Sequence, residues 1–345
     1  MKPWNYLLLL LLPAMVVAGH LLGGWWNFLV PVCCFVAYPL ANLFIAGSEE
    51  HTHAVKQQPS SVYSLVALIF VPVLLGLTTW CIYVSTAITN AFSFAGFALS
   101  LGIINGVLGF TLAHEFIHHS AWRERFAGYL LLLQNNYMHY GVEHVWGHHV
   151  YACTSKDPHT ARVGESLYAY IPRAVVATYK NAVAIQAKKL ARSSKPFFSI
   201  YNGLLVFGIL QVLLMTCIFF AVGFNAFLFF LLQNIVAVAL LHIINYLQHY
   251  GLMRDVAENG SYEKLNAHHA WRTGRHNSTV DLFHLENHAH HHMRPSLSFN
   301  ELRDMDESPE HPAGYSFMVL LSLIPPLWFR IMNKKISSHP INTSS

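Results

Sequence analysis

Apolar residues are gathered into six long runs along the chain, and polar residues are gathered between them. A helix that crosses a membrane needs about 20 apolar residues. The runs that satisfy this length lie at about 5–23, 26–46, 62–86, 91–113, 198–222 and 224–248. The first run resembles a signal peptide, but a second run follows it directly and no small-residue cleavage site separates them. The pattern therefore predicts an all-α integral membrane protein with six transmembrane helices.

Two polar blocks follow the fourth and the sixth run, at 114–197 and 249–335. Neither block has enough apolar residues to build a core of its own. We therefore expect the two blocks to fold together as a helical cap on the spans, and the whole chain, 1–345, to form a single domain.

Within the polar blocks, the patterns at 165–192 and 298–307 predict amphipathic surface helices. The apolar segment 315–329 is short and is interrupted by two prolines, so we expect it to lie at the membrane interface or to re-enter rather than to span. The tail at 336–345 is polar, and we expect it to be disordered.

Charged residues are scarce and unevenly placed. They make up 11% of the chain, against about 25% in soluble domains. All of them lie near the N-terminus, in 47–61, in 114–197 or after 248, and the short loops at 87–90 and 223 carry none. Because cytoplasmic loops carry the excess of Lys and Arg, we expect both termini and the cap to be cytoplasmic, at the inner or plasma membrane if the protein is bacterial. The basic residues form no arm or run, so nucleic-acid binding is not indicated.

Histidines are concentrated in two windows, 114–159 and 242–292, which hold 18 of the 23. Helical residues four apart share a face, with Cβ atoms about 6 Å apart, so two imidazoles at this spacing can bind one metal ion. The pairs that have it are His114 and His118, His144 and His148, and His288 and His292. Further histidines adjoin two of the pairs, and another ends the sixth run on one helical face with Asn245. The nine candidate metal ligands are His114, His118, His144, His148, His149, His249, His288, His291 and His292. The three spaced clusters alone offer eight nitrogens, more than one ion accepts, so two ions are the simplest interpretation.

The donor set indicates which metal is bound. Imidazole suits zinc, copper, iron and nickel, whereas structural zinc is four-coordinate and often uses cysteine. The five cysteines form no C-x-x-C pair, and four of them lie in apolar runs. Two nitrogen-rich ions with open positions favour iron and O₂ chemistry. Ligating histidines usually donate their second N–H to an oxygen, and the carboxylates near enough in sequence to accept are Glu115, Glu143, Asp281 and Glu286.

The other histidines are expected to have ordinary roles. We expect exposed surface positions for His51, His53, His159, His311 and His339. We expect packing or a hydrogen bond within the spans for His20 and His242. We expect surface positions or indirect contact with the metal site for His119, His139, His276, His284 and His290.

Four motifs together resemble a known family. H-E-F-I-H-H at 114–119, E-H-V-W-G-H-H-V at 143–150, N-Y-L-Q-H-Y-G-L at 245–252 and L-E-N-H-A-H-H-H at 285–292 are similar to those of the integral-membrane alkane hydroxylases and xylene monooxygenases. The order of the motifs and their placing against six spans also agree. A-H-H-A-W at 267–271 supports the resemblance, which covers most of the chain from about 60 to 335.

The resemblance implies a non-haem di-iron centre held by the nine histidines, with O₂ as co-substrate and a substrate channel among the spans. It implies hydroxylation of a terminal or benzylic methyl group of an apolar molecule. Glu115, Glu143 and Gln248 are the candidate catalytic residues beside the metal. Gln248 stands where alkane hydroxylases usually have Glu and xylene monooxygenases have Gln, so an alkyl-aromatic substrate is the alternative to an alkane.

Aromatic and small residues of the spans could line that channel, although plain helix packing explains them equally well. They are Phe94, Phe97, Gly102, Gly106, Gly109 and Thr111.

Electrons have to come from another protein. The chain has no C-x-x-C pair, no haem-attachment motif and no G-x-G-x-x-G, so we expect a separate rubredoxin- or ferredoxin-type donor with its reductase. A basic patch could dock an acidic donor, although such residues are also typical of a solvated cytoplasmic surface. It consists of Arg123, Arg125, Lys188, Lys189 and Arg192.

Other functions remain open. A membrane desaturase shares the histidine boxes and differs in its product, an alkene rather than an alcohol. H-E-F-I-H also fits the H-E-x-x-H pattern of zinc proteases, but this leaves two clusters unexplained. A metal transporter would place ionisable groups near mid-membrane, and no Asp or Glu lies inside any run.

Overall fold

The six predicted spans are all present as helices. The computed structural model describes residues 2–45, 60–273 and 283–337. Within them, the helices long and apolar enough to cross a membrane are Pro3–Leu22, Gly24–Ala41, Ser60–Ala87, Ala91–His118, Gly203–Ala221 and Phe224–His249. The prediction of an all-α membrane protein is therefore confirmed.

The fourth span is longer than its apolar run suggests. It was predicted to end near 113, but the helix continues through H-E-F-I-H to His118. A π-helical turn at Asn105–Gly109 interrupts it. The first histidine box therefore forms the last turns of a span and is held by the rest of that helix.

The fourth and sixth spans pack closely against each other. A Cβ atom at Gly102 would lie 2.7 Å from the carbonyl oxygen of Gln233, so only glycine permits this approach. Beside this contact, the Asn105 amide donates to Gln233 Oε1 at 2.9 Å and to Thr78 Oγ1 at 3.2 Å, and accepts from Gln134 at 2.8 Å. This buried amide cluster ties the third, fourth and sixth spans and the helix at 122–134 together next to the π turn.

The remaining elements are short, with one exception. Leu167–Arg192 is a 26-residue helix, and it confirms the amphipathic helix predicted at 165–192. Ser166 caps its start, because the Ser166 hydroxyl accepts from the Ala169 N–H. The other helices outside the spans are Trp122–Gln134, Tyr140–Glu143, His144–His148, His149–Tyr151, Ala267–His269, Leu285–Asn287, His288–Met293, Phe299–Glu301, Tyr315–Ser322 and Pro325–Ser337. Arg272–Thr273 pairs in parallel with Glu310–His311.

Two expectations about the C-terminal block change. The helix predicted at 298–307 is wrong. Only Phe299–Glu301 forms, as a single 3₁₀ turn with a capping box at Ser298, and the backbone is extended again at Leu302. The segment 315–329 is broken at its prolines as expected, into Tyr315–Ser322 and the helix that begins at Pro325. That second helix continues to residue 337, and the tail beyond it lies outside the described residues.

Candidate metal centre

The nine predicted histidines come together as two adjacent groups. In each group the available ligand nitrogens lie within 4.8 Å of one another. The first group consists of His114, His118, His144, His149 and His291, and the second of His148, His249, His288 and His292. Two groups of this size match the two ions that the sequence indicates.

The candidate ligands on the three ordinary helices lie as the spacing predicts. His114 and His118 lie one turn apart near the end of the fourth span, and both belong to the first group. His288 and His292 lie one turn apart on the short helix His288–Met293, and both belong to the second group. His249 ends the sixth span and completes that group.

The second histidine box departs from the predicted pairing. We expected His144 and His148 to bind one ion together, but they belong to different groups. The reason is that His144–His148 is π-helical. A π turn brings residues five apart onto one face, so the Nε2 atom of His144 meets that of His149 at 3.0 Å, while His148 faces the second group.

Within each group, ring nitrogens lie so close together that a shared cation would stabilise them. His149 Nε2 lies 3.1 Å from His291 Nε2, and His288 Nε2 lies 3.1 Å from His249 Nε2 and 2.9 Å from His292 Nε2. A neutral imidazole carries one N–H and one lone pair, so such clusters cannot be satisfied by hydrogen bonds alone.

Electrostatics favours the ligating form of these rings. Burial, reinforced by the neighbouring histidines, holds the pKa of His144, His288 and His291 well below the ordinary value. The rings are therefore neutral near pH 7, as metal binding requires. Among the described residues, the buried His114 Nε2 and His148 Nε2 have no hydrogen-bond partner. An all-imidazole set with free lone pairs fits iron.

A carboxylate that the sequence analysis missed supports the second group. His148 Nδ1 donates to both oxygens of the buried Asp157, at 3.0 and 3.1 Å. His249 Nδ1 donates to the carbonyl oxygen of His269 at 3.1 Å, and the Cys153 thiol donates to the same oxygen at 2.9 Å. Asp157 lies nine residues after His148, slightly farther than the seven residues that separate Asp281 from His288, so a wider search in sequence could have found it.

The predicted carboxylates occupy other positions around the centre. Glu115 accepts from His119 Nε2 at 2.9 Å and from the Phe299 N–H at 3.0 Å. Glu143 is fully buried and accepts from His159 Nε2 at 2.9 Å. Glu286 is buried, and Asp281 lies outside the described residues. Glu115 and Glu143 thus lie on the helices that carry candidate ligands. The histidine partner of each, His119 or His159, is not itself a candidate ligand.

Two histidines predicted to be exposed are buried. His159 pairs with Glu143, and His311 donates to the Leu247 carbonyl oxygen at 3.0 Å and stacks on Trp271. Burial lowers the pKa of His311 to about 3. Both predictions are wrong because a single histidine in a polar segment gives no sequence signal of its tertiary partner.

The predictions for the two histidines within the spans are confirmed. His20 packs on the ring of Phe97, with centroids 4.7 Å apart, and His242 is hydrogen-bonded to the Tyr137 hydroxyl at 2.8 Å. His119 is hydrogen-bonded to Glu115, which follows His114 in the chain.

The remaining surplus histidines lie outside the two groups. His139 packs against the Tyr137 ring, His284 is hydrogen-bonded to Tyr6, and His290 accepts from the Arg303 N–H. His51, His53, His276 and His339 lie outside the described residues.

An apolar cavity of about 690 Å³ leads to the histidines. Its walls come from the first, second, fourth and sixth spans and from the segment at 314–319. At one end it reaches His114 and His144 of the first group and His288 of the second, with Gln248 beside them. A hydrophobic molecule in this cavity would lie against ligands of both groups.

The predicted channel residues divide between the two interpretations. Gly106 and Thr111 line the cavity. Gly102 lies in the contact with the sixth span, Gly109 lies beside Asn135, and Phe97 packs on Phe229. Phe94 also contacts the Phe229 ring. For these four residues helix packing was the correct explanation.

The basic residues proposed as a docking patch are exposed: Arg123, Arg125, Lys188, Lys189 and Arg192. Their role in docking a donor stays a prediction.

Gln248 donates weakly to the Leu285 carbonyl oxygen and to the Tyr315 hydroxyl, both at 3.3 Å.

Comparisons with known proteins agree with this geometry. Residues 89–319 match the fatty acid desaturase family. The chain is 36% identical to alkane 1-monooxygenase 1 of Pseudomonas aeruginosa, over 92% of this chain and 84% of the relative. It is 31% identical to the alkane 1-monooxygenase of Acinetobacter baylyi, over 90% and 76%. It is also 31% identical to the xylene/toluene monooxygenase hydroxylase component XylM of Pseudomonas putida, over 70% and 63%.

Proposed function

The chain belongs to the family of integral-membrane alkane 1-monooxygenases, which are oxidoreductases, and we propose that it hydroxylates the terminal methyl group of an alkane. One observation carries this proposal: the apolar cavity among the spans ends on histidines of both groups. An alkane offers no polar group for recognition, so an apolar cavity of this size is the means by which the chain can hold it.

The metal would be a pair of iron ions, one in each histidine group. Bound iron, with O₂ and two electrons, supplies the oxidising power that an unactivated C–H bond requires, which no side chain can supply. His114, His118, His144, His149 and His291 would hold one ion, and His148, His249, His288 and His292 the other.

The chain's own residues position the substrate and exclude water. The cavity wall is formed mainly by aliphatic and aromatic side chains, among them Val107, Phe110 and Leu241. Alkanes partition into the bilayer, and lipid tails are as apolar as leucine, so transfer into the cavity yields little net hydrophobic free energy. The shape of the cavity, rather than the strength of binding, would then select the alkane by its length and direct its terminal methyl group towards the histidines.

Polar residues beside the ligands would complete the site. Gln248 lines the cavity and is anchored by Tyr315, so its amide would contact the reacting end of the substrate. Glu115 and Glu143 would act from behind the ligand helices through His119 and His159, by holding those helices in place.

Electrons would come from a separate rubredoxin- or ferredoxin-type protein. The positive-inside distribution of charge supports cytoplasmic termini and a cytoplasmic position for the histidine groups. The exposed basic patch at 123–125 and 188–192 would then be available to an acidic donor.

A second substrate class has specific support. Gln248, which lies at the wall of the cavity, is the residue that the resemblance associates with xylene monooxygenases, and XylM is among the relatives. The alternative is therefore hydroxylation of a methyl group on an aromatic ring.

A product assay tests the proposal. Cells that express the chain with a rubredoxin, a ferredoxin and their reductases are fed octane, hexadecane and p-xylene, and products are identified by gas chromatography–mass spectrometry. We expect 1-alkanols. Predominant benzylic alcohol would favour the second class, and unsaturated lipid or alkene would contradict hydroxylation and favour a desaturase.

Two variants serve as controls in the same assay. His148→Ala removes a ligand of the second group and should abolish conversion. His290→Ala removes a histidine outside both groups and should retain it.

A further inference from the structure

The two histidine groups differ in what supports them from behind. In the second group, His148 donates to the Asp157 carboxylate and His249 to a backbone carbonyl. Among the described residues, no ion pair joins a carboxylate to a histidine of the first group. Among the described residues, the carboxylate that accepts a hydrogen bond directly from a candidate ligand therefore lies behind the second group.

We propose that Asp157 is a positioning residue that makes the two metal positions inequivalent, by fixing and polarising His148 so that the second group binds its ion more tightly. This inference rests on the proposed two-metal centre. With its N–H held by a carboxylate, the His148 ring has one tautomer and one orientation, with the lone pair on Nε2. The Nε2 atom is buried and free among the described residues, so it is available to the metal.

Asp157 is itself held in place by a network of hydrogen bonds. Its side chain is fully buried, and it accepts from the Thr160 hydroxyl at 2.6 Å and from the His159 N–H at 3.1 Å. Thr160 in turn accepts from the Cys153 N–H at 2.8 Å. With these donors fixed, the carboxylate cannot turn away from His148, so its position is built into the loop.

The loop that carries Asp157 is also locked to the rest of the fold. The Tyr170 hydroxyl donates to the His159 carbonyl oxygen at 2.9 Å, and Arg173 donates to the Pro158 and Thr160 carbonyl oxygens at 3.2 and 3.1 Å. These bonds come from the long helix Leu167–Arg192. That helix therefore has a defined part in the centre, which is to hold the acceptor of His148.

Graded removal of metal tests the inference without any measurement of turnover. The purified full-length chain, loaded with Fe(II), is exposed to increasing concentrations of a chelator, and the iron retained per chain is measured. Loss of a partner that orients a ligating histidine typically costs about 10–100-fold in metal affinity. In Asp157→Asn, which keeps the size of the side chain and removes its charge, we expect one of the two iron equivalents to be released at about 10–100-fold lower chelator concentration. The other equivalent should be released as in the wild type.

A second variant and a matched control complete the design. Thr160→Val removes the hydroxyl that holds Asp157, and it should weaken retention of the same equivalent to a smaller degree. Asp306→Asn changes an aspartate that is 76% exposed and pairs with Arg272, and it should match the wild type. If Asp157→Asn does not fold, Thr160→Val is read by the same criterion.

Mössbauer spectra of ⁵⁷Fe-loaded protein give a second readout. Asp157→Asn should change one of the two iron signals and leave the other in place, which a general loosening of the fold would not do. Equal weakening of both equivalents, or no weakening of either, would overturn the inference and leave the proposed function standing. A wild-type chain that binds fewer than two iron ions would instead contradict the two-metal centre itself.

Discussion

Replacing His159 by leucine tests whether this histidine belongs to a buried ion pair or lies exposed at the surface. The sequence pattern predicts a surface position, at which a substitution changes the free energy of unfolding by less than about 0.5 kcal/mol. In the structure, His159 Nε2 lies 2.9 Å from Glu143 Oε2, and both side chains are fully buried. Removing one partner of such a pair costs about 3–5 kcal/mol, because the other charge is left without compensation. We therefore expect His159→Leu to destabilise the chain by this amount.

A double-mutant cycle isolates the contribution of the pair. Glu143→Met leaves His159 without its acceptor, and the double variant Glu143→Met/His159→Leu leaves neither charge. The double variant should cost less than the sum of the single variants, by about 0.5–3 kcal/mol. Unfolding of the detergent-solubilised chain by sodium dodecyl sulfate, followed by circular dichroism, provides the free energies. Lys180→Gln, on an exposed residue of the long helix, is the control and should have almost no effect.

The pH dependence gives the sign of the interaction. Burial alone would lower the pKa of His159, but the Glu143 carboxylate outweighs it and raises the pKa above the ordinary value. A raised pKa in the folded state means that the stabilisation is complete below about pH 6.5, the ordinary histidine value, and is lost as the pH rises through the folded pKa. The difference between wild type and His159→Leu should therefore shrink at alkaline pH. A cost within about 0.5 kcal/mol at pH 6, or strictly additive variants, would refute the buried pair.

Two further predictions concern the spans. Asn105→Leu removes three hydrogen bonds of the buried amide cluster. At about 0.6 kcal/mol for each bond within a membrane protein, the free energy of unfolding should fall by about 2 kcal/mol. Thr79→Val removes a bond within one helix and should change the free energy of unfolding little in the same assay. Val107→Trp places a larger side chain in the wall of the cavity, and it should shift product formation from hexadecane towards octane in a competition assay. Leu213→Trp, on the exposed face of the fifth span, should not shift it. Equal product ratios in both variants would mean that the cavity does not hold the substrate.

The sequence predicts the spans and the ligands well for the same physical reason. A membrane helix must satisfy its own backbone hydrogen bonds, so an apolar run of sufficient length leaves few alternatives. Likewise, the repeated four-residue spacing of histidines is a local pattern that needs no tertiary information. Both signals lie within single helices. The spans are confirmed as helices, and the nine histidines converge, while their role as metal ligands stays a prediction.

The division of the histidines into two groups depends on geometry that the spacing does not reveal. A regular helix would pair His144 with His148, but the π turn pairs His144 with His149 instead. In the sequence, Gly147 is the one residue of that turn without a side chain, and a Cβ there would lie 2.6 Å from Glu143 Oε1. This requirement is visible only once Glu143 is placed.

Residues behind the ligands were the hardest to predict. Asp157 and His159 lie in a loop whose position is fixed by the long helix, through Tyr170 and Arg173. No periodicity marks such a loop, since its contacts with the second histidine box and with the long helix join residues that lie apart in the sequence. The same holds for His311, whose partner is a backbone carbonyl at the end of the sixth span.

The most direct test of the central claim is the origin of the oxygen atom in the product. The iron-loaded chain, in lipid nanodiscs with a reduced rubredoxin and its reductase, is given octane or hexadecane under ¹⁸O₂, and the products are analysed by mass spectrometry. A monooxygenase at this centre should yield the 1-alkanol with one ¹⁸O atom, and His148→Ala should yield none. An alkene, or an alcohol whose oxygen comes from water, would contradict the account.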